Sequence, residues 1–256
     1  MAKSAKSAKS DRQKVIDDIR KKQKGADQRR GFMIVGVFVV LAVVIVGAAA
    51  YRPIADSIAL RSYADMTLAE IGGPASSCVE EETKSAEGSG EHVPDTQQVT
   101  YDDAPPAFGP HWNNETAPVP MDRKFFTDGD RPELEQLVHN SEHGFTIVWY
   151  DQTVADDSSA VNELEAVAKK FPGSSDYRYK FLAVPWTSED GGDFPEGQHI
   201  AMTHWSIGGV GETDTTQQVG VWQYCSEFSG EALVDFMEKY PYLDSPEPNA
   251  LSPQDL

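Results

Sequence analysis

His139-Asn140-Ser141-Glu142-His143 places two imidazoles and a carboxylate within five residues. On a helix, residues four apart share one face, so His139 and His143 could grip a single ion. The other histidines are His92, His111, His199 and His204, and all six follow the apolar run described below. His111 sits among Pro105, Pro106 and Pro110, whose fixed backbone lowers the entropy cost of presenting a ligand. The expected site is a transition-metal centre of His111, His139 and His143, with Glu142 as fourth ligand or as support for one. Thioethers at Met121 and in Met202-Thr203-His204 tip the expected ion slightly from zinc towards copper. For Met202 and His204, simple core packing is the preferred reading, because methionine is a common core filler.

Two other classes stand beside a metal-binding protein. One is a structural or interaction domain whose histidines only cap a helix or shape a loop. The other is a metal-dependent hydrolase, since His139-x-x-Glu142-His143 matches the inverted zincin pattern. That pattern needs a long helix, but Gly144 follows at once and Phe145–Tyr150 reads as a strand. The expectation therefore leans away from an enzyme. No Gly-x-Ser-x-Gly elbow is present, and Gly208-Gly209-Val210-Gly211 lacks the lysine of a phosphate-binding loop.

Phe32–Ala50 contains no charged residue. At about 1.5 Å per residue it covers roughly 28 Å, close to the ~30 Å core of a bilayer. The first thirty residues hold 11 Lys/Arg against 4 Asp/Glu, which places them on the cytoplasmic side and the rest outside. Ala48-Ala49-Ala50 offers a signal-cleavage alternative, but the apolar run exceeds a signal core of ~7–15 residues. The remainder carries 11 Lys/Arg against 37 Asp/Glu. Such an acidic ectodomain repels phosphate backbones and excludes nucleic acid as a partner; its charge reads first as solubility. The expected partners are the lipid bilayer and a metal ion. Both cysteines, Cys78 and Cys225, lie outside the membrane, where a disulfide is the default.

These features divide the chain into a basic cytoplasmic tail (1–31), a transmembrane helix (32–51), a juxtamembrane helix and linker (52–91), an extracytoplasmic domain (92–250) and a disordered tail (251–256). Within the domain, 97–101 is expected as a first strand and 104–114 as a loop. Arg131–Val138 is expected as a helix, 145–150 as a strand and 155–171 as a helix. Strands at 177–184, 199–205 and 219–224 and a helix at 229–240 follow. Strand, helix, strand implies a parallel crossover. The fold class is α+β: a mixed β-sheet with helices packed mainly on one face, preceded by a single transmembrane helix.

Several segments in order carry a family resemblance: Cys78 with its acidic stretch, Glu91-His92-Val93, Tyr101, and Ala104-Pro105-Pro106-Ala107-Phe108-Gly109-Pro110-His111-Trp112. They continue with Leu137-Val138-His139-Asn140-Ser141-Glu142-His143-Gly144 and Pro246-Glu247-Pro248-Asn249-Ala250. The ectodomain resembles the bacterial domain-of-unknown-function family DUF3105 over nearly all of residues 75–250. The resemblance implies the layout of basic tail, one membrane helix and domain, and brings no activity with it. It favours the segments holding His92, His111, His139 and His143, and implies less for His204, whose position is often not histidine.

Overall fold

The computed structural model describes residues 2–114, 116–173 and 175–250. The expected tail at 251–256 lies outside them. The chain divides into two compact units, Met1–Ser57 and Ile58–Leu256. The first is helical: α1 spans Ala2–Arg61, and its Arg29–Ala48 stretch is long and apolar enough to cross a membrane. The large apolar side chains from Phe32 to Val46 are exposed. The basic segment continues the same helix, consistent with its alanine and lysine content.

The second unit is built on a five-stranded sheet, ordered β1 (Glu82–Ser85), β7 (Val219–Cys225), β6 (Ile200–Ser206), β4 (Thr146–Tyr150), β5 (Phe181–Pro185). β4 and β5 are parallel and every other pairing is antiparallel, so the sheet is mixed. The chain passes from β4 to β5 through α3 (Gln152–Ala155) and α4 (Ser158–Ala168). One helix was expected over 155–171. The chain instead restarts at Asp157, whose carboxylate caps Ser159 N–H at 2.8 Å. Strand β5 begins later than expected because Tyr177–Tyr179 forms a 3-10 turn.

Alternate residues of the strands feed two apolar layers, as period-two geometry requires. Val148, Tyr150, Ile200 and Met202 pack with Leu164 and Val167 of α4, and with Leu233 and Phe236 of α5 (Gly230–Lys239). Ile147, Trp149, Leu182 and Ala201 face the other way, against Leu137 of α2 (Leu134–Glu142) and the loops that flank it. The α+β class and the bias of helices towards one face are both present.

Three further segments differ from expectation. Residues 75–91, expected as linker, include edge strand β1, which pairs Glu82 with Trp222 and Ser85 with Val219. All four β1 residues are exposed, so backbone pairing forms the strand without an apolar alternation to betray it. Residues 97–101 form no strand: Val99 N–H goes to Glu135 Oε1 at 2.6 Å, and Tyr101 Oη donates to the Pro110 carbonyl at 2.7 Å. The loop at 104–114 includes β3 (His111–Trp112), parallel to β2 (His92–Val93). Cys78 and Cys225 are joined, with S–S 2.06 Å.

Candidate metal centre

Four segments meet at the histidine cluster. Helix α2 opens with a capping box in which Glu133 and Gln136 exchange side-chain and backbone contacts. Asn140 locks it to the preceding loop: its amide accepts from Val119 N–H and donates to Val119 C=O, both at 2.8 Å. His139 and Glu142, three residues apart, then project from the same face. The helix ends at His143, and Gly144 follows at φ +85°, where a Cβ would lie 2.3 Å from the Tyr242 carbonyl oxygen. The early stop that excludes a long zincin helix is thus built into the backbone.

His111 arrives from the proline-rich loop. Trp222 Nε1 and Tyr224 Oη donate to the carbonyls of Pro105 and Ala104 and hold that loop on β7. Register pairs His111 with His92, so the short β2–β3 ladder delivers a second imidazole from a segment 19 residues earlier. His111 N–H also bonds the Glu91 carbonyl at 3.0 Å. Trp205 closes the floor, edge-on to His111 at 6.1 Å between centroids. Gly90 lies so close that a Cβ would sit 3.2 Å from Glu142 Oε1.

Glu142 Oε2 is the meeting point. It lies 3.0 Å from His111 Nε2, 3.6 Å from His92 Nε2 and 3.9 Å from His139 Nε2. The donor atoms of these four residues all fall within 4.8 Å of one another. A tetrahedral zinc ion with bonds near 2.0–2.1 Å separates its ligands by about 3.3 Å. His111, His139 and Glu142 are buried, and only His92 is exposed.

The protons do not balance in this cluster without a cation. His111 Nδ1 lies 2.9 Å from the Gly109 carbonyl, which can only accept, so Nδ1 carries the hydrogen. Its Nε2 then faces a carboxylate, another acceptor, at 3.0 Å. A neutral imidazole has one N–H for these two oxygens; a proton or a metal ion must supply the other positive charge. A carbonyl behind one ring nitrogen is the arrangement that orients metal-binding imidazoles. Burial first, then neighbouring His143 and His111, pushes His139 down to about 3, which keeps it neutral as a ligand must be. Burial raises Glu142, but the His111 hydrogen bond and the surrounding imidazoles outweigh it and hold the carboxyl below its ordinary value.

Of the residues expected from sequence, His111, His139 and Glu142 converge here. His143 is adjacent, 4.5 Å from the His139 ring, but its Nε2 turns to Glu247 Oε2 at 3.3 Å. Glu142, His143 and Glu247 form a second group with donor atoms within 4.8 Å. Burial, then Lys180, brings His143 down to about 4. His92 takes the place expected for His143; its only sequence signal was its family segment. Met202 and His204 lie on the opposite side of β6, where His204 Nε2 bonds the Asp244 carbonyl at 2.6 Å. Met121 is buried in the apolar cluster with Leu137 and Phe145.

A family described as a protein of unknown function (DUF3105) matches residues 92–254. The chain belongs to that family. The DUF3105 match contains every residue of the cluster, from His92 through Glu142 to Glu247. No curated protein and no solved structure matches the chain.

Proposed function

We propose that this DUF3105 protein is a single-pass, membrane-anchored metal-binding protein whose domain lies outside the cytoplasm. His92, His111, His139 and Glu142 hold the ion. The observation that carries the reading is His111, buried between the Gly109 carbonyl and the Glu142 carboxylate with one proton for two acceptors. A divalent cation at the meeting point of three Nε2 atoms and one carboxylate oxygen resolves that conflict. The Asn113 amide nitrogen lies 3.3 Å from His92 Nδ1; turning that amide end for end brings its oxygen there, so that Nδ1 carries the hydrogen and Nε2 is free for the ion.

The donor set is three nitrogens and one carboxylate oxygen, with both candidate methionines packed in apolar layers. That chemistry moves the preference from copper to zinc. Four protein donors fill a tetrahedral shell, which suits holding an ion more than activating water, so a binding role is favoured over hydrolysis. The anchor reading rests on the apolar Arg29–Ala48 helix and its basic flank, and the outside location on the disulfide.

The test is zinc titration of the chelated full-length chain in detergent. The expected result is stoichiometric high-affinity zinc, weakened at least ~100-fold in His111→Ala and His139→Ala. Absence of tight zinc or copper in the wild-type chain would leave a proton as the buried cation and end the metal reading.

A further inference from the structure

Glu142 belongs to both donor groups. His143, with its side chain 5% exposed, faces Glu247 through Nε2, while its buried Nδ1 has no hydrogen-bond partner among the described residues. Glu247 lies between Pro246 and Pro248. Its N–H bonds the Glu142 carbonyl at 2.9 Å. The buried ammonium of Lys180 takes the carbonyls of Pro248 at 2.8 Å and Ala250 at 3.1 Å, and that of His143 at 2.7 Å. One lysine therefore fixes both the helix end that carries His143 and the tail that carries Glu247.

We propose that His143 and Glu247 form a second divalent-cation position, with Glu142 shared between the two ions. The proposal rests on the first ion being held by His92, His111, His139 and Glu142. A shared carboxylate is the natural link in paired sites, where ions lie about 3.5–4 Å apart. The second position has two carboxylates and one imidazole, a harder donor set than the first, and accepts manganese, cobalt or zinc. It is also the open one: the Glu247 side chain is 51% exposed, so water or an oxyanion completes the shell. Two dications outweigh two carboxylates, and the Lys180 ammonium adds repulsion. The second ion consequently binds more weakly than the first.

Cobalt(II) is the probe, titrated into the chelated full-length chain in detergent and followed by its visible spectrum and by electron paramagnetic resonance. The wild-type chain should take up two equivalents, the second at least ~10-fold weaker, with loss of resonance intensity as the two ions couple. Glu247→Gln should weaken the second equivalent by about 100-fold and leave the first within about threefold. Glu247 is solvent-exposed, so this variant keeps the fold. Saturation at one equivalent in both proteins would overturn the second position while leaving the first intact. Two equivalents in both would overturn the role of Glu247, and no uptake at all would overturn both readings.

Discussion

Lys180 Nζ donates to the carbonyl oxygen of His143 at 2.7 Å while only 1% of the lysine is exposed. The relationship ties the start of β5 to the end of the helix that carries the site. Tyr177 stacks under the ammonium at 4.6 Å, which compensates part of its lost hydration.

Replacing this lysine tests how far the tail depends on it. Lys180→Met keeps the aliphatic stem but strands the carbonyls of His143, Pro248 and Ala250. We expect a loss of roughly 3 kcal/mol, from hydrogen bonds to a charged donor worth about 1.5–3 kcal/mol each and not additive. The urea midpoint measures it, and limited proteolysis should show earlier cleavage after Asp244.

Removing the disulfide acts mainly on the unfolded chain. Cys78 and Cys225 are 147 residues apart, and a loop of that length corresponds to about 5 kcal/mol in the chain-entropy model, an upper figure. Cys78→Ser/Cys225→Ser should melt well below the wild type, with the same shift produced by reductant.

Zinc should stabilise the domain by mass action. At a free concentration 100 times Kd the gain is about 2.7 kcal/mol, visible as a rise in melting temperature. Glu142→Gln or His139→Ala should abolish the zinc-dependent rise, whereas His204→Gln, across the sheet, should retain it. A retained rise in His139→Ala would sink the assignment.

Acid should unfold the metal-free protein early. His139 and His143 fall from an ordinary value of 6.5 to about 3 and about 4, so the unfolded chain binds more protons than the folded one over that range. Their contribution is complete above pH 6.5 and is lost as pH falls towards 3. Glu142, held below its ordinary value, has the same sign over its own lower range. Each histidine contributes a slope of up to ~1.4 kcal/mol per pH unit. Urea titrations of the chelated chain between pH 7 and 4 measure it, and a flat midpoint would contradict the burial of neutral imidazoles.

Gly144→Ala probes the helix stop. A left-handed φ of +85° and a Cβ 2.3 Å from a carbonyl oxygen should together cost at least ~2 kcal/mol. The variant should also lose zinc affinity, because His143 and Glu142 would shift with the helix end.

The one-dimensional chain was sufficient for whatever depends on neighbours in sequence. The uncharged run at Phe32–Ala50, the break at Gly144, and the strands at 146–150, 200–206 and 219–225 follow from local composition and periodicity. Two cysteines beyond an apolar helix leave one intramolecular pairing to make. Edge strand β1 escaped because a strand exposed at every position has no alternation to read. The membership of the histidine–carboxylate cluster was decided only in three dimensions. His92 reaches His111 through a parallel two-residue ladder, and such pairing is set by how loops pack on Trp205, Trp222 and Tyr224. Four-residue spacing rightly put His143 beside His139, but the side chain's direction depended on the tail that Lys180 holds. A spacing rule states which side chains share a helical face; which of them share an ion is decided by the partners that other segments bring to that face.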